Sequence, residues 1–335
     1  MCARYFMCII RCMPLKKLMH PAVLLAILVI LEGGRFVIDH TLASAGLSAR
    51  AFSQAYPLID PSRSFYKTAD LMVNVQPLRD RLNEIGKNPN VSVYFEFLNT
   101  GANITVNKDA EYFPASLLKV PVVMAVIKKI ENGEWSWDDQ VILQAEDKNA
   151  NFGDLWREPV GTHYGVGELV RQLLVNSDDT AYFMLLRKVP EADLRKVQRH
   201  LGIEDLFSKD LKISAKKYAP ILRSLYSASY LTVADSQKVL QLMSQYKYNN
   251  FLSPGIPPGV PFAHKIGIYE AKGVYLDAGI VYVPGRPYIL IAMIRDPDQT
   301  KAQDALRDIS QKVYAYVSSY HGDADVDKSD RNTDH

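Results

Sequence analysis

The chain has 335 residues, 48% of them hydrophobic and 23% charged, the profile of a globular protein with material for one large domain or two ordinary ones. Its formal charge of +2 is concentrated at the amino end: residues 1–50 carry six Lys/Arg against two acids, leaving 33 against 35 for everything after. That near-neutral remainder excludes the footprint of a nucleic-acid binder. Cys2, Cys8 and Cys12 are the only cysteines, which excludes internal disulfides and cysteine metal sites after Arg50.

At the amino end Arg11, Lys16 and Lys17 precede the apolar run PAVLLAILVIL at 21–31, and Ala43-Ser44-Ala45 follows. This is the pattern of an export segment. Two versions stay open, a cleaved signal peptide and a retained membrane anchor. The run is shorter than the ~20 residues of a spanning helix, and extending it to Ile38 passes Glu32 and Arg35. The Ala-x-Ala element in turn lies far beyond the run. Basic residues ahead of it place the amino end on the cytoplasmic side in either version. The expected division is therefore signal or anchor over 1–45, linker over 46–70, a catalytic domain over 71–320 and a disordered tail over 321–335, with the domain exported to the periplasm or cell surface.

Past the linker, QPLRDRLNEIGK has helical spacing at Leu78, Leu82 and Ile85, with Gly86 placed to end it. VSVYFEFLNTGANITVN then alternates on both sides of Asn99-Thr100-Gly101-Ala102, which predicts a β-hairpin. From Ser116 to Ile130 the chain is apolar nearly all round, with Gly133 as a stop, and predicts a helix buried on most of its surface. Residues 140–190 and 216–247 read as mostly helical. PFAHKIGIY, GVYLDAGIVYV and PYILIAMIRD predict three strands, and a last helix spans about 301–319. The tail HGDADVDKSDRNTDH, with five acids against two bases, reads as disordered. Strands at both ends with helices between predict an α+β fold: one antiparallel five-stranded sheet flanked by helices, beside an all-helical lobe, with a cleft between them.

The candidate chemistry centres on Ser116 and Lys119. At i and i+3 they share a helix face, close enough for a neutral amine to take the hydroxyl proton. The spacing alone is poor evidence, since Ser64–Lys67, Ser214–Lys217 and Ser244–Lys247 repeat it. Ser116 differs in its setting: Lys119 lies among Leu117, Leu118, Val120 and Pro121, where burial lowers an ammonium pKa. The serine also sits at a helix amino end that favours developing negative charge. Ser177-Asp178-Asp179, in a turn between predicted helices, begins 61 residues later, and Lys265-Ile266-Gly267, in a predicted strand, begins 149 residues later.

These three motifs, in this order and context, resemble those of the serine β-lactamase and penicillin-binding protein superfamily, closest to the class A β-lactamase catalytic domain, over roughly residues 70–320. The resemblance implies Ser116 as the nucleophile that forms an acyl-enzyme, Lys119 as its base and Ser177 as a proton relay to the departing nitrogen. It implies Lys265 as the residue that polarises this network and helps to bind a substrate carboxylate. Asp179, Gly267 and Ile268 belong to substrate binding, with the backbone N–H groups of Ser116 and Ile268 as the oxyanion hole and Gly267 allowing close approach of substrate. No cofactor or metal is implied, and the expected state is a monomer.

Two departures stand out. Asp179 occupies a place where the family usually has Asn, and a carboxylate cannot donate an amide hydrogen bond. The family's Glu-x-x-Leu-Asn element, which serves deacylation in class A enzymes, does not occur; between Thr180 and His264 the only glutamates are Glu191 and Glu204. The resulting expectation is a serine hydrolase opening a β-lactam amide, as in antibiotic resistance. The alternatives are a D-alanyl-peptide carboxypeptidase or transpeptidase acting on peptidoglycan stem peptides, and a β-lactam or cell-wall sensing domain with little turnover. His264, alternating with Lys265, is expected to face away from the site and pack.

Overall fold

The computed structural model describes residues 51–60, 71–72, 74–203 and 211–320. The expected signal or anchor, the Ser64–Lys67 pair, Glu204 and the expected tail lie outside the described residues. Residues 51–55 form a helical turn. The compact unit considered below begins at Tyr56. Within it Leu58 and Ile59 are buried, and the Leu58 carbonyl accepts from Tyr282 Oη at 3.0 Å.

Helix α1 (Gln76–Ile85) leads into strands β1 (Val91–Phe97) and β2 (Ala102–Val106). A 3₁₀ turn, Ala115–Leu118, opens α2 (Lys119–Glu131). Short strands β3 (Gln140–Ile142) and β4 (His163–Gly165) precede helices α3 (Val166–Val175), α4 (Asp179–Lys188), α5 (Glu191–Leu201), α6 (Ala215–Tyr226) and α7 (Val233–Ser244). Strands β5 (Phe262–Tyr269), β6 (Val274–Val281) and β7 (Tyr288–Arg295) then precede α8 (Gln299–Ser319). The five-stranded sheet has the order β2-β1-β7-β6-β5 and is antiparallel throughout, as the sequence predicts. The hairpin forms from the amino end of the domain, and β7 joins it to the two strands that precede β7 in the chain.

The alternation in β1 has a physical outcome that a half-exposed strand would not give. Val91, Val93, Phe95 and Phe97 join a core with Leu78 and Leu82 of α1 and with Leu306, Ile309 and Val313 of α8. The polar alternates Ser92, Tyr94 and Glu96 are buried as well, on the face that carries α6. Burial there requires partners. Tyr94 Oη donates to Glu96 at 2.7 Å, Arg223 of α6 pairs with Glu96, and Ser92 Oγ donates to the Val106 carbonyl at 3.2 Å.

Residues 140–165 are not the mostly helical stretch their composition predicts. Gln140–Ile142 pairs with His163–Gly165, and the chain between contains only short 3₁₀ turns. With one buried residue, Val141, between exposed Gln140 and Ile142, the alternation is too short to register as a period. Helix α2 is buried from Lys119 through Ile127, which accounts for its apolar character all round. Pro121 is tolerated because it falls in the first turn, where its missing N–H has no intrahelical acceptor.

Candidate active site

Three local structures converge, the last of them the edge strand β5. The first is the turn that carries Ser116. Tyr112 and Ile213 exchange backbone hydrogen bonds of 3.0 and 2.9 Å just before it, and Tyr218 Oη of α6 donates to the Leu117 carbonyl at 3.0 Å. Between these anchors Ala115 adopts φ +47°, a left-handed conformation unfavourable for a residue with a Cβ. Ser116 therefore lies in a tight 3₁₀ turn, with the α-helix starting at Lys119 rather than at Ser116.

The second is the turn between α3 and α4. Ser177 has φ +54°, and Asp178 caps α4 by accepting from Ala181 N at 2.8 Å. The other Asp178 oxygen accepts from Asp154 N and Leu155 N at 2.8 and 3.0 Å, while Asp179 N donates to the Phe152 carbonyl at 3.0 Å. One fully buried carboxylate thus ties the 149–155 loop to the second motif. Gly153, at φ +82°, passes so close that a Cβ there would lie 2.0 Å from Asp178 Oδ2.

The third is β5. A Cβ at Gly267 would sit 2.8 Å from the Pro114 carbonyl oxygen and 3.4 Å from Ala115 Cβ. The space freed by this glycine is taken by the turn bearing Ser116, a reason for the residue other than the expected approach of substrate. Ile266, on the other face, packs in the core. His264 is buried away from Lys265, its Nδ1 2.9 Å from Asp277 Oδ1 and its Nε2 3.1 Å from Asn249 Oδ1, as the alternation along the strand predicts.

Lys119, Ser177, Asp179 and Lys265 come together as a single network. Lys119 Nζ donates to the Ser177 carbonyl at 2.6 Å, to Ser177 Oγ at 3.1 Å and to Asp179 Oδ1 at 2.5 Å. Those contacts use all three donors of an ammonium and point none at Ser116. Lys265 Nζ donates to Ser177 Oγ at 2.7 Å and to Tyr246 Oη at 2.8 Å. Burial lowers the Lys119 pKa against the opposing pull of the Asp179 carboxylate. Burial lowers that of Lys265 well below its usual value, and repulsion from Lys119 adds to it. Two buried amines thus share one hydroxyl, and a proton on either disfavours a proton on the other.

Ser116, Lys119, Asp179 and Ile268 line a cleft of about 630 Å³ together with Asn149, Phe152 and Tyr182. Lys265 does not line it: the residue is 0% exposed and lies behind Ser177, to whose hydroxyl it donates. Tyr246 and the 149–152 loop escape sequence reasoning. Tyr246 follows α7 in an irregular segment without a motif, and its place is set by the bond from Lys247 N to the Val175 carbonyl at 3.1 Å. Of the other Ser-x-x-Lys pairs, Ser214 caps α6 and Ser244 Oγ bonds the Gln241 carbonyl on the exposed face of α7, both helix-terminal roles. Glu191 is exposed and paired with Arg195, apart from the cleft. Trp135, Trp137 and Trp156 each stack against a Lys or Arg and do not line it either. Among the described residues no group of three or more His, Cys, Asp or Glu is placed to hold a metal ion. No described helix is long and apolar enough to cross a membrane.

Comparison with known proteins finds relatives of this domain. Residues 77–317 match the model of the family described as "Beta-lactamase enzyme family". The β-lactamase VEB-1 of Pseudomonas aeruginosa is 21% identical, the match covering 62% of this chain and 77% of that protein. Among solved structures, PBP-A is 22% identical with a TM-score of 0.67, covering 73% of this chain and 97% of its own. A β-lactamase from Sphaerobacter thermophilus is 19% identical with a TM-score of 0.67, covering 74% and 99%. A PBP-A variant solved as an acyl-enzyme complex with penicillin G is 22% identical with a TM-score of 0.66, covering 73% and 98%. At these identities the structural likeness establishes the fold.

Proposed function

Because the chain belongs to the beta-lactamase enzyme family, we propose that it is a serine hydrolase that opens a β-lactam amide through an acyl-enzyme at Ser116. The observation that carries this reading is the continuous path Lys119–Ser177–Lys265 set beside a serine that opens onto a cleft.

In this mechanism the Ser116 oxygen bonds to the substrate carbonyl carbon as its proton passes to Lys119 in the neutral form. The tetrahedral oxyanion lies at the backbone N–H groups of Ser116 and Ile268. Collapse breaks the C–N bond, and the departing nitrogen takes a proton from Ser177, which is resupplied through the lysines flanking its hydroxyl. Lys265, sealed from solvent, keeps Ser177 oriented. Hydrolysis of the ester by water then returns free Ser116. Export by the amino-terminal segment, to the periplasm or cell surface, belongs to the same proposal and rests on the basic flank and apolar run at 11–31.

A second reading, a peptidase or transpeptidase acting on D-alanyl peptides, is favoured by the lack of the Glu-x-x-Leu-Asn element and by the pairing of Asp179 with Lys119. One experiment separates the two. The purified protein is incubated with a chromogenic β-lactam and then weighed by mass spectrometry, beside Ser116→Ala. Sustained colour supports the lactamase, and one stable adduct without turnover supports the peptidase. Identical behaviour of wild type and Ser116→Ala removes the nucleophile assignment.

A further inference from the structure

We propose that the cleft selects acyl donors whose side chain carries an ammonium group, with Asp179 and Glu270 as its acceptors. This names the substrate class of the site described above and rests on the acylation reading.

Among the described residues, the charged side chains that line the cleft are Lys119, Asp179 and Glu270. Lys119 is 2% exposed, and its Nζ is engaged by Ser177 and Asp179. It offers no donor to a ligand anion without giving up a bond it already makes. Lys265, the other cation of the network, is closed off behind Ser177. The accessible charge is therefore negative.

Asp179 meets Lys119 through Oδ1, while no described residue donates to Oδ2, and its side chain is 16% exposed. An amide at this place would present a donor as well as an acceptor; a carboxylate presents acceptors only. Glu270 begins the 3₁₀ turn after β5, is exposed and makes no ion pair with a described residue. The walls suit the same ligand. Phe183 and Tyr269 are each 38% exposed at the cleft, with Phe152 and Tyr182 beside them. Aromatic faces attract cations and repel anions. A ligand carboxylate in the same place would meet two carboxylates and no free cation of the described lining, which is a penalty rather than a lost contact.

The test uses the full chain and three penicillins that share a phenylacetyl side chain and differ at its α-carbon: ammonium, hydrogen or carboxylate. Second-order acylation rates are read from the Ser116 adduct by intact-protein mass spectrometry. The ammonium form is expected to exceed the carboxylate form by roughly five- to thirtyfold, the span between an exposed and a partly buried ion pair. Glu270→Gln and Asp179→Asn should each shrink that ratio, and Glu270→Lys should invert it. Equal rates, a carboxylate preference, or an ammonium preference that survives both neutral variants overturns the assignment. A parallel titration of wild type and Glu270→Gln with phenylglycinamide, phenylacetamide and phenylmalonamate, followed by calorimetry, reads selectivity without chemistry. If none of the penicillins is hydrolysed or leaves an adduct, the acylation reading falls, and the titration decides the selectivity by the same order of ligands.

Discussion

Tyr246→Phe removes one oxygen from the interior of the site and nothing else. Tyr246 Oη accepts from Lys265 Nζ at 2.8 Å, and its ring centroid lies 4.1 Å from the same nitrogen. Phenylalanine keeps the ring and its attraction for a cation but leaves one Lys265 donor facing an apolar wall, with Ser177 Oγ as the remaining side-chain partner. Because both residues are buried, water does not replace the lost acceptor freely, and a cost of about 1–3 kcal/mol follows. For a domain of this size that is a fall in Tm of roughly 2–12 °C by calorimetry. The hydroxyl stabilises the ammonium more than the amine, so its loss pushes the already lowered Lys265 pKa further down. Whichever limb of the acylation–pH profile Lys265 carries should therefore move to lower pH, an effect that loosened packing alone would not produce. An unchanged profile together with an unchanged Tm would refute the account of Tyr246 as the residue that positions Lys265.

Asp178→Ala leaves three backbone N–H groups, of Asp154, Leu155 and Ala181, without their acceptor. Urea unfolding should show a loss of about 3–5 kcal/mol, and a loss below about 1 kcal/mol would contradict the clamp. Gly267→Ala places a Cβ 2.8 Å from the Pro114 carbonyl oxygen, a backbone atom that yields only if the Ser116 turn shifts. The adduct-forming rate should fall about tenfold or more, the sensitivity expected of a misplaced reacting group, while Tm changes by only a few degrees. Lys265 has a depressed folded pKa against an ordinary value of 10.5, so the unfolded chain binds the extra proton between the two. The cost of burying it is full below the folded pKa and vanishes as pH rises past 10.5. Any stability advantage of Lys265→Met over wild type should accordingly shrink as pH is raised toward 10, and an advantage that grows would reverse the sign of the argument.

Sequence reasoning reached the sheet, the buried helix and the three motifs because each leaves a local trace. Alternation marks β1 and β5 to β7, an apolar run without a polar face marks α2, and the motifs fall where those elements begin or turn. It did not reach contacts made by side chains distant in the chain. Nothing near Tyr246 signals that it meets Lys265, and nothing near Asp179 signals that its carboxylate engages Lys119 in place of a substrate amide. The role of Gly267 was equally hidden, since the backbone it accommodates belongs to Pro114. The sequence also extended the α-helix back to Ser116, where the positive φ of Ala115 and a 3₁₀ turn set the serine apart from α2.

The strand order has a bearing on biosynthesis. β1 and β2 emerge first, yet β1 finds its second partner only in β7, and β5 is attached to β1 solely through β6 and β7. The bonds that join Lys119 to Ser177 and Lys265 to Ser177 span 58 and 88 residues. A ribosome-bound chain that has exposed Ser116, Lys119 and Ser177 therefore still lacks the middle of its sheet and the closing amine of its network. Ser116 of such a chain is a poor nucleophile, and its acylation by a β-lactam should arise in one step with completion of the domain. Labelling of Ser116 in stalled nascent chains of increasing length would then serve as a reporter of whole-domain folding.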